Sequence, residues 1–193
     1  MTSTTLVEAL KLSLQQLMRS LWKEIDNLNA SNISLAILAL VRYGGRRQST
    51  VVDQLHKGLI DKQLANGSWM NELWGTGLAI LAAHEYLQSQ GKQLNIRTPY
   101  IRKALEYIKT TQNRLRYNWQ GEYYETLLLS WVFLKIQYEV EAEFIKRVVE
   151  RLKKLQADDG SLFDIYDTAI AACVYKAAQE KLGMDNRSNI EAS

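Results

Sequence analysis

Residues 63–69 read QLANGSW and residues 156–162 read QADDGSL, so glutamine, glycine and serine recur at identical spacing. Each stretch is followed by a threonine, Thr76 or Thr168, and then by small apolar residues. Thr126 lies between them in a similar setting, which gives a spacing of about 40–50 residues. This spacing is the period of a two-helix unit, so the sequence predicts tandem helix hairpins.

Two further occurrences of the pattern are weaker. In the one that leads to Thr126, Gln112 and Trp119 stand at an altered spacing. A degenerate occurrence at residues 32–36 reads NISLA. The four together predict about four hairpins, which span residues 6–43, 49–90, 99–137 and 140–182.

The residue types of this pattern indicate a structural role. A glutamine at the end of one helix can bond to free backbone groups at the start of the next. Glycine allows the chain to turn, and an indole ring can pack over the junction. The pattern therefore predicts a repeated connection between helices.

Apolar residues recur at helical spacing between the glycine-rich breaks, and no segment alternates strictly for long. The chain is therefore predicted to be all-α and a single domain over residues 1–193, with a flexible tail at residues 183–193. The expected helices cover residues 6–22, 32–43, 49–63, 72–90, 99–112, 121–137, 140–156 and 164–182.

These helices are of two kinds. Residues 140–156 carry charges on one face, whereas residues 35–40, 78–83 and 169–172 are apolar nearly all round. A helix that is apolar on all sides must be buried on several sides. The alternation predicts an outer layer of half-exposed helices and an inner layer of buried ones.

The composition narrows the possible functions. The chain has 193 residues, of which 47% are hydrophobic and 23% charged, as in an ordinary globular protein. Its 24 basic and 21 acidic residues are scattered, so nucleic acid is not an expected partner. One cysteine and two histidines do not form a disulfide framework or a metal-ligand pattern. No transmembrane segment or signal peptide is expected, and a cytoplasmic location is the simplest prediction.

The pattern Q-x-x-x-G-x-W is complete at Gln63, Gly67 and Trp69, and in the stretch at Gln156 the tryptophan is replaced by Leu162. It resembles the QW motif of squalene and oxidosqualene cyclases, which also recurs in the related protein prenyltransferases. The resemblance covers residues 30–180 and implies a partial (α/α) toroid with inner and outer helix layers. It also implies a hydrophobic isoprenoid small molecule as ligand, without a cofactor.

Class II terpene cyclases begin one inner helix with D-x-D-D-T-A, and the middle aspartate protonates the substrate. The similar stretch here is residues 164–169, DIYDTA, which places Tyr166 at the acid position. A phenol with a pKa near about 10 is a far weaker acid than a carboxyl group near about 4. Asp164 and Asp167 are therefore the candidate catalytic acids, because two close carboxylates can raise one pKa. The alternative for both is helix capping.

The prenyltransferase branch of the family binds zinc through Asp, Cys and His. Its histidine lies in a D-x-Y-H-T context, where this chain has Asp167. No cysteine lies near Glu125 and Thr126, so we expect no metal site.

Four aromatic residues on the inner helices or the loops before them are candidates for substrate binding: Trp74, Tyr124, Trp131 and Tyr166. Aromatic rings can stabilise a carbocation through cation–π attraction. The alternative is that they only pack the repeats together.

Two functions remain open at this point. The chain is either a protonation-initiated cyclase of polyprenyl substrates or a non-catalytic helical-repeat module for binding or assembly. About four hairpins do not close a ring that relatives close with about six. Exposed apolar ends are costly, so homo-oligomers or docking to a larger protein are expected.

Overall fold

The computed structural model describes Gln16 and residues 27–43, 49–113, 118–119, 123–138 and 142–184. These residues form seven α-helices: α1 Ala30–Tyr43, α2 Ser49–Asp61, α3 Leu73–Ser89, α4 Pro99–Thr110, α5 Tyr123–Lys135, α6 Ala142–Leu155 and α7 Ile165–Leu182. Two short strands, β1 Gln112–Asn113 and β2 Asn118–Trp119, pair antiparallel with Gln112 opposite Trp119. The predicted all-α class is confirmed for this part of the chain.

The expected helix ends lie within two residues of the observed ones for all seven helices. Apart from Gln16, which is helical, the expected helix at residues 6–22 lies outside the described residues, as does most of the expected tail. Helix α4 begins at Pro99, where the fixed φ of proline suits the first helical position. Helix α7 ends at Gly183, which has a φ of 66° and donates its N–H to the carbonyl of Ala178.

The chain divides into two compact units, at residues 1–102 and 103–193. In the first unit, α1 packs mainly on α3, and α2 packs against both. In the second unit, α5 packs mainly on α7, and α6 packs against both. Each unit therefore brings together two helices that are separated in sequence by a third.

Burial along the helices follows the two kinds of sequence pattern. On α6 the buried residues form a single stripe, namely Phe144, Ile145, Val148, Val149 and Leu152. On α3 every residue from Gly75 to His84 is buried. Helix α3 carries small and apolar residues all round and is covered on all sides, whereas α6 keeps its charged face in solvent.

Candidate functional site

The connection between α2 and α3, which we call the first glutamine turn (residues 63–76), is fixed by a side-chain amide. Gln63 donates from Nε2 to the carbonyl oxygens of Gly67 at 2.9 Å and Tyr100 at 2.7 Å. The indole of Trp69 is buried and donates from Nε1 to the carbonyl of Leu59 at 2.7 Å. One glutamine thus joins the turn to the start of α4, while the tryptophan joins it to α2.

The connection between α6 and α7, the second glutamine turn (residues 156–168), repeats this geometry. Gln156 donates from Nε2 to the carbonyl of Gly160 at 2.6 Å. A backbone hydrogen bond is also repeated. The N–H of Leu64 donates to the carbonyl of Ser68, and the N–H of Ala157 donates to the carbonyl of Ser161, at 2.9 Å in both turns. The two glycines have φ of 90° and 84°, a range that favours glycine.

An asparagine or aspartate holds the centre of each turn. In the first turn, Asn66 Oδ1 accepts bonds from the backbone N–H of Ser68 at 3.1 Å and from its hydroxyl at 2.7 Å. In the second turn, Asp159 Oδ1 accepts the same two bonds from Ser161, at 2.9 and 2.6 Å. These bonds lower the pKa of the Asp159 carboxyl.

The threonines complete the repeated connection. The hydroxyl of Thr76 accepts from the N–H of Trp69 at 3.1 Å and donates to the carbonyl of Glu72 at 2.6 Å. The hydroxyl of Thr168 accepts from Leu162 at 3.0 Å and donates to the carbonyl of Asp164 at 2.7 Å. A hydroxyl both donates and accepts, which explains why a threonine follows each turn.

The degenerate occurrence near residue 32 keeps part of this arrangement. The buried hydroxyl of Ser34 donates to the carbonyl of Ala30 at 2.8 Å, four residues earlier, as the threonines do. The start of α1 therefore resembles the starts of α3 and α7.

The first glutamine turn is one residue longer than the second. The extra residue lies between Trp69 and Thr76, a stretch that corresponds to Leu162–Thr168 in the second turn. In the first turn, Met70 and Asn71 have φ of 62° and 57°, and Glu72 donates its N–H to the carbonyl of Trp69 at 3.3 Å. Two successive positive φ values are typical of a type I′ turn. When the two turns are aligned on their threonines, the residue four positions before the threonine is Asp164 in the second turn and Glu72 in the first.

The candidate acids lie together at the start of α7. Asp164 is the N-cap of the helix, and its Oδ1 accepts from the backbone N–H of Asp167 at 2.8 Å. Asp167 is only 7% exposed. Burial, and then the charge of Asp164, raise the pKa of the Asp167 carboxyl. Asp164 therefore has the geometry of a cap, while Asp167 has the environment of an acid that retains its proton more readily.

The first glutamine turn is tightly packed at the position of this acid. The counterpart of Asp167 is Gly75, and a Cβ there would lie 3.1 Å from the carbonyl oxygen of Trp69. A side chain at this position would force the turn or its neighbours to shift. Of the two turns, only the second one holds a carboxyl group at this position.

Three large apolar side chains next to the acids in sequence are exposed. Phe163, Ile165 and Tyr166 are 54%, 79% and 75% exposed, and we call them the α7 patch. The ring of Phe163 lies 4.5 Å from the ring of Tyr123 at the start of α5. Arg151 donates to the Tyr123 hydroxyl at 3.1 Å. Exposed apolar side chains thus stand within four residues of the buried Asp167, and one of them contacts a tyrosine that is hydrogen-bonded to Arg151.

The four aromatic candidates do not form one group. Tyr166 lies between the two acids in sequence. Tyr124 and Trp131 lie on α5 in the same unit; Tyr124 is about a third exposed, and Trp131 is half-buried. Trp74 is half-buried on α3 of the first unit. Phe163 and Ile165 are not among the residues predicted from the sequence, although two apolar residues beside a capping aspartate were a visible signal.

Within the described ranges, no three His, Cys, Asp or Glu side chains are grouped so that they could hold a metal ion. None of the helices described has the length and apolar character needed to cross a membrane.

Comparisons of the chain with protein-family models, with curated proteins and with solved structures found no match.

Proposed function

We propose that this chain is a terpene-cyclase-like repeat protein that binds an isoprenoid chain on the α7 patch, as a binding module. The observation that carries the proposal is the exposure of Phe163, Ile165 and Tyr166, each more than half open to solvent within four residues. Apolar side chains that are exposed together as a contiguous patch mark surfaces that bind a ligand or a partner. A branched, unsaturated hydrocarbon matches the mixed aromatic and aliphatic surface.

The exposure of the patch favours binding over cyclisation. A carbocation in a cyclase must be kept from water, because water would capture it. At 75% exposure, the ring of Tyr166 is in contact with solvent. An open surface can hold an isoprenoid chain but does not protect a cation.

The binding proposal is tested by equilibrium dialysis with radiolabelled farnesol. Ile165→Ser and Tyr166→Ser should each weaken binding about tenfold, because a covered apolar side chain contributes about 1.5–3 kcal/mol. The matched control is Ile96→Ser, at another exposed apolar residue in the first unit. Equal affinity in all four proteins, or no binding by the wild type, would reject the proposal.

A second candidate is protonation-initiated cyclisation with Asp167 as the acid. It is favoured by the burial of Asp167 and by its raised pKa, since an acid must hold its proton before it can donate it. Asp167→Asn should then abolish turnover of polyprenyl substrates while farnesol binding is retained.

The converse change separates the two candidates further. Tyr166→Asp rebuilds the D-x-D-D-T-A pattern, and a gain of cyclised product would show that the site can support the chemistry. An absence of product from the native and rebuilt proteins, over chain lengths from farnesyl to squalene, would leave binding as the function.

A further inference from the structure

A small cavity lies in the second unit, about 20 Å along α7 from the candidate acids at a helical rise of about 1.5 Å per residue. Its volume is about 100 Å³. It lies where α5 ends, α6 begins and α7 ends. The lining is mainly apolar: Phe133, Leu134, Tyr138, Ala142, Ile145 and Leu182, together with the polar Gln137 and Lys181.

The walls of this cavity are set by the turn after α5. Gln137 has a φ of 53°, and Tyr138 donates its N–H to the carbonyl of Phe133 at 3.0 Å. This bond across five residues is typical of a Schellman turn. It brings the ring of Tyr138 to 5.3 Å from that of Phe133. The cavity therefore lies beside a hydrogen-bonded turn, and three of its lining side chains, Phe133, Leu134 and Ile145, are buried.

One of the described residues that line the cavity is charged. Lys181 lies in the last turn of α7, and it is the charged residue of the lining. A ligand that places an apolar group inside and an anionic group at the mouth would match both the apolar lining and this lysine.

The volume limits the apolar part of such a ligand. A cavity of about 150 Å³ lined by Leu, Ile and Phe holds one benzene molecule. By that scale, the cavity here accepts about four carbon atoms. We infer that it is a binding site for small branched carboxylates, with the alkyl group against Phe133 and Ile145 and the carboxylate beside Lys181. The site is separate from the α7 patch.

The test uses 3-methylbutanoate and its neutral counterpart, 3-methylbutanamide, with the methyl resonances of Leu134 and Ile145 followed by NMR. We expect saturable shifts with a Kd of about 1 mM for the carboxylate, which is reasonable for so few atoms. The amide should bind about threefold more weakly, because it cannot pair with an exposed ammonium group.

Two variants and one control assign these effects. Lys181→Gln should reduce carboxylate affinity to that of the amide, and the control Lys154→Gln, at an exposed lysine of α6, should leave it unchanged. Ala142→Phe should fill the cavity and remove binding of both probes, while the fold stays intact by circular dichroism. The inference is overturned if neither probe shifts Leu134 and Ile145, or if Ala142→Phe binds both probes normally. Equal binding of carboxylate and amide would also overturn it.

Discussion

The carboxylate of Asp164 accepts a hydrogen bond from the backbone N–H of Asp167 at 2.8 Å, which makes it the N-cap of α7. Glu72 occupies the same place before α3, but its side chain makes no capping bond. The longer glutamate side chain is not among the preferred caps, whereas aspartate is. The two equivalent helix starts are therefore stabilised differently.

This difference predicts unequal costs for the same substitution. Asp164→Ala should lower the free energy of unfolding by about 1 kcal/mol, because it removes a capping bond. Glu72→Ala is the matched control and should change it by less than about 0.5 kcal/mol. Urea denaturation followed by circular dichroism measures both. An equal loss in the two variants would contradict the assigned role of Asp164.

The raised pKa of Asp167 predicts a pH dependence of stability. The folded protein holds a proton on this carboxyl above the ordinary pKa of 3.8, where the unfolded chain has already lost it. The free energy of unfolding therefore falls as the pH rises from the ordinary pKa to the raised one. Asp167→Asn cannot titrate and lacks this decline.

The measurement is the difference in unfolding free energy between the wild type and Asp167→Asn over a range of pH. The unfolding free energy of the wild type, relative to that of the variant, should be highest below pH 3.8. This difference should decrease as the pH rises above 3.8 and should level off above the raised pKa of Asp167. A difference that is constant or grows with pH would show that the carboxyl is not perturbed in this direction.

Two helical glycines predict opposite effects of adding a methyl group. Gly58 lies within α2 with nothing within 4 Å of an added Cβ, so Gly58→Ala should stabilise the protein by about 1 kcal/mol. At Gly75 the same Cβ would lie 3.1 Å from the Trp69 carbonyl oxygen. Gly75→Ala should destabilise by about 1–3 kcal/mol. Thermal denaturation of both variants is the test, and stabilisation by Gly75→Ala would refute the tight fit of the first glutamine turn.

The repeated turns also predict a tolerated substitution. Asp159 makes the same two bonds to Ser161 that Asn66 makes to Ser68. Asn66→Asp keeps these two bonds but loses the bond that Asn66 Nδ2 donates to Asn71 Oδ1 at 3.0 Å, so it should cost about 0.5–1 kcal/mol. Asn66→Ala loses all three bonds and should cost about 2 kcal/mol. Chemical denaturation at neutral pH distinguishes them, and a larger loss in Asn66→Asp than in Asn66→Ala would mean that the two turns are not equivalent.

The helices could be predicted from the sequence because their ends carry local signals. Pro99 and Gly183 fix helix ends through their own backbone preferences, which no distant contact needs to supply. The repeat could be recognised because Gln63 and Thr76 recur with their spacing nearly unchanged at Gln156 and Thr168. The positive φ of Met70 was not predictable, since methionine has no preference for it and the turn closure imposes it.

The candidate site was predictable only in part. The placement of Asp164 and Asp167 on one helix start followed from their spacing, but their different roles depend on which side chain is buried. The exposure of Ile165 also escaped prediction, since Leu73, a different apolar residue at the counterpart position, is buried. A helical period shows which residues share a face, and neighbouring elements decide whether that face is covered.

The most direct test of isoprenoid binding on the α7 patch follows the δ1-methyl groups of the isoleucines by NMR as farnesol is added. The account predicts that the Ile165 resonance shifts and saturates, while that of Ile96, exposed in the other unit, stays in place. An unchanged Ile165 resonance, or equal shifts at Ile165 and Ile96, would contradict the account.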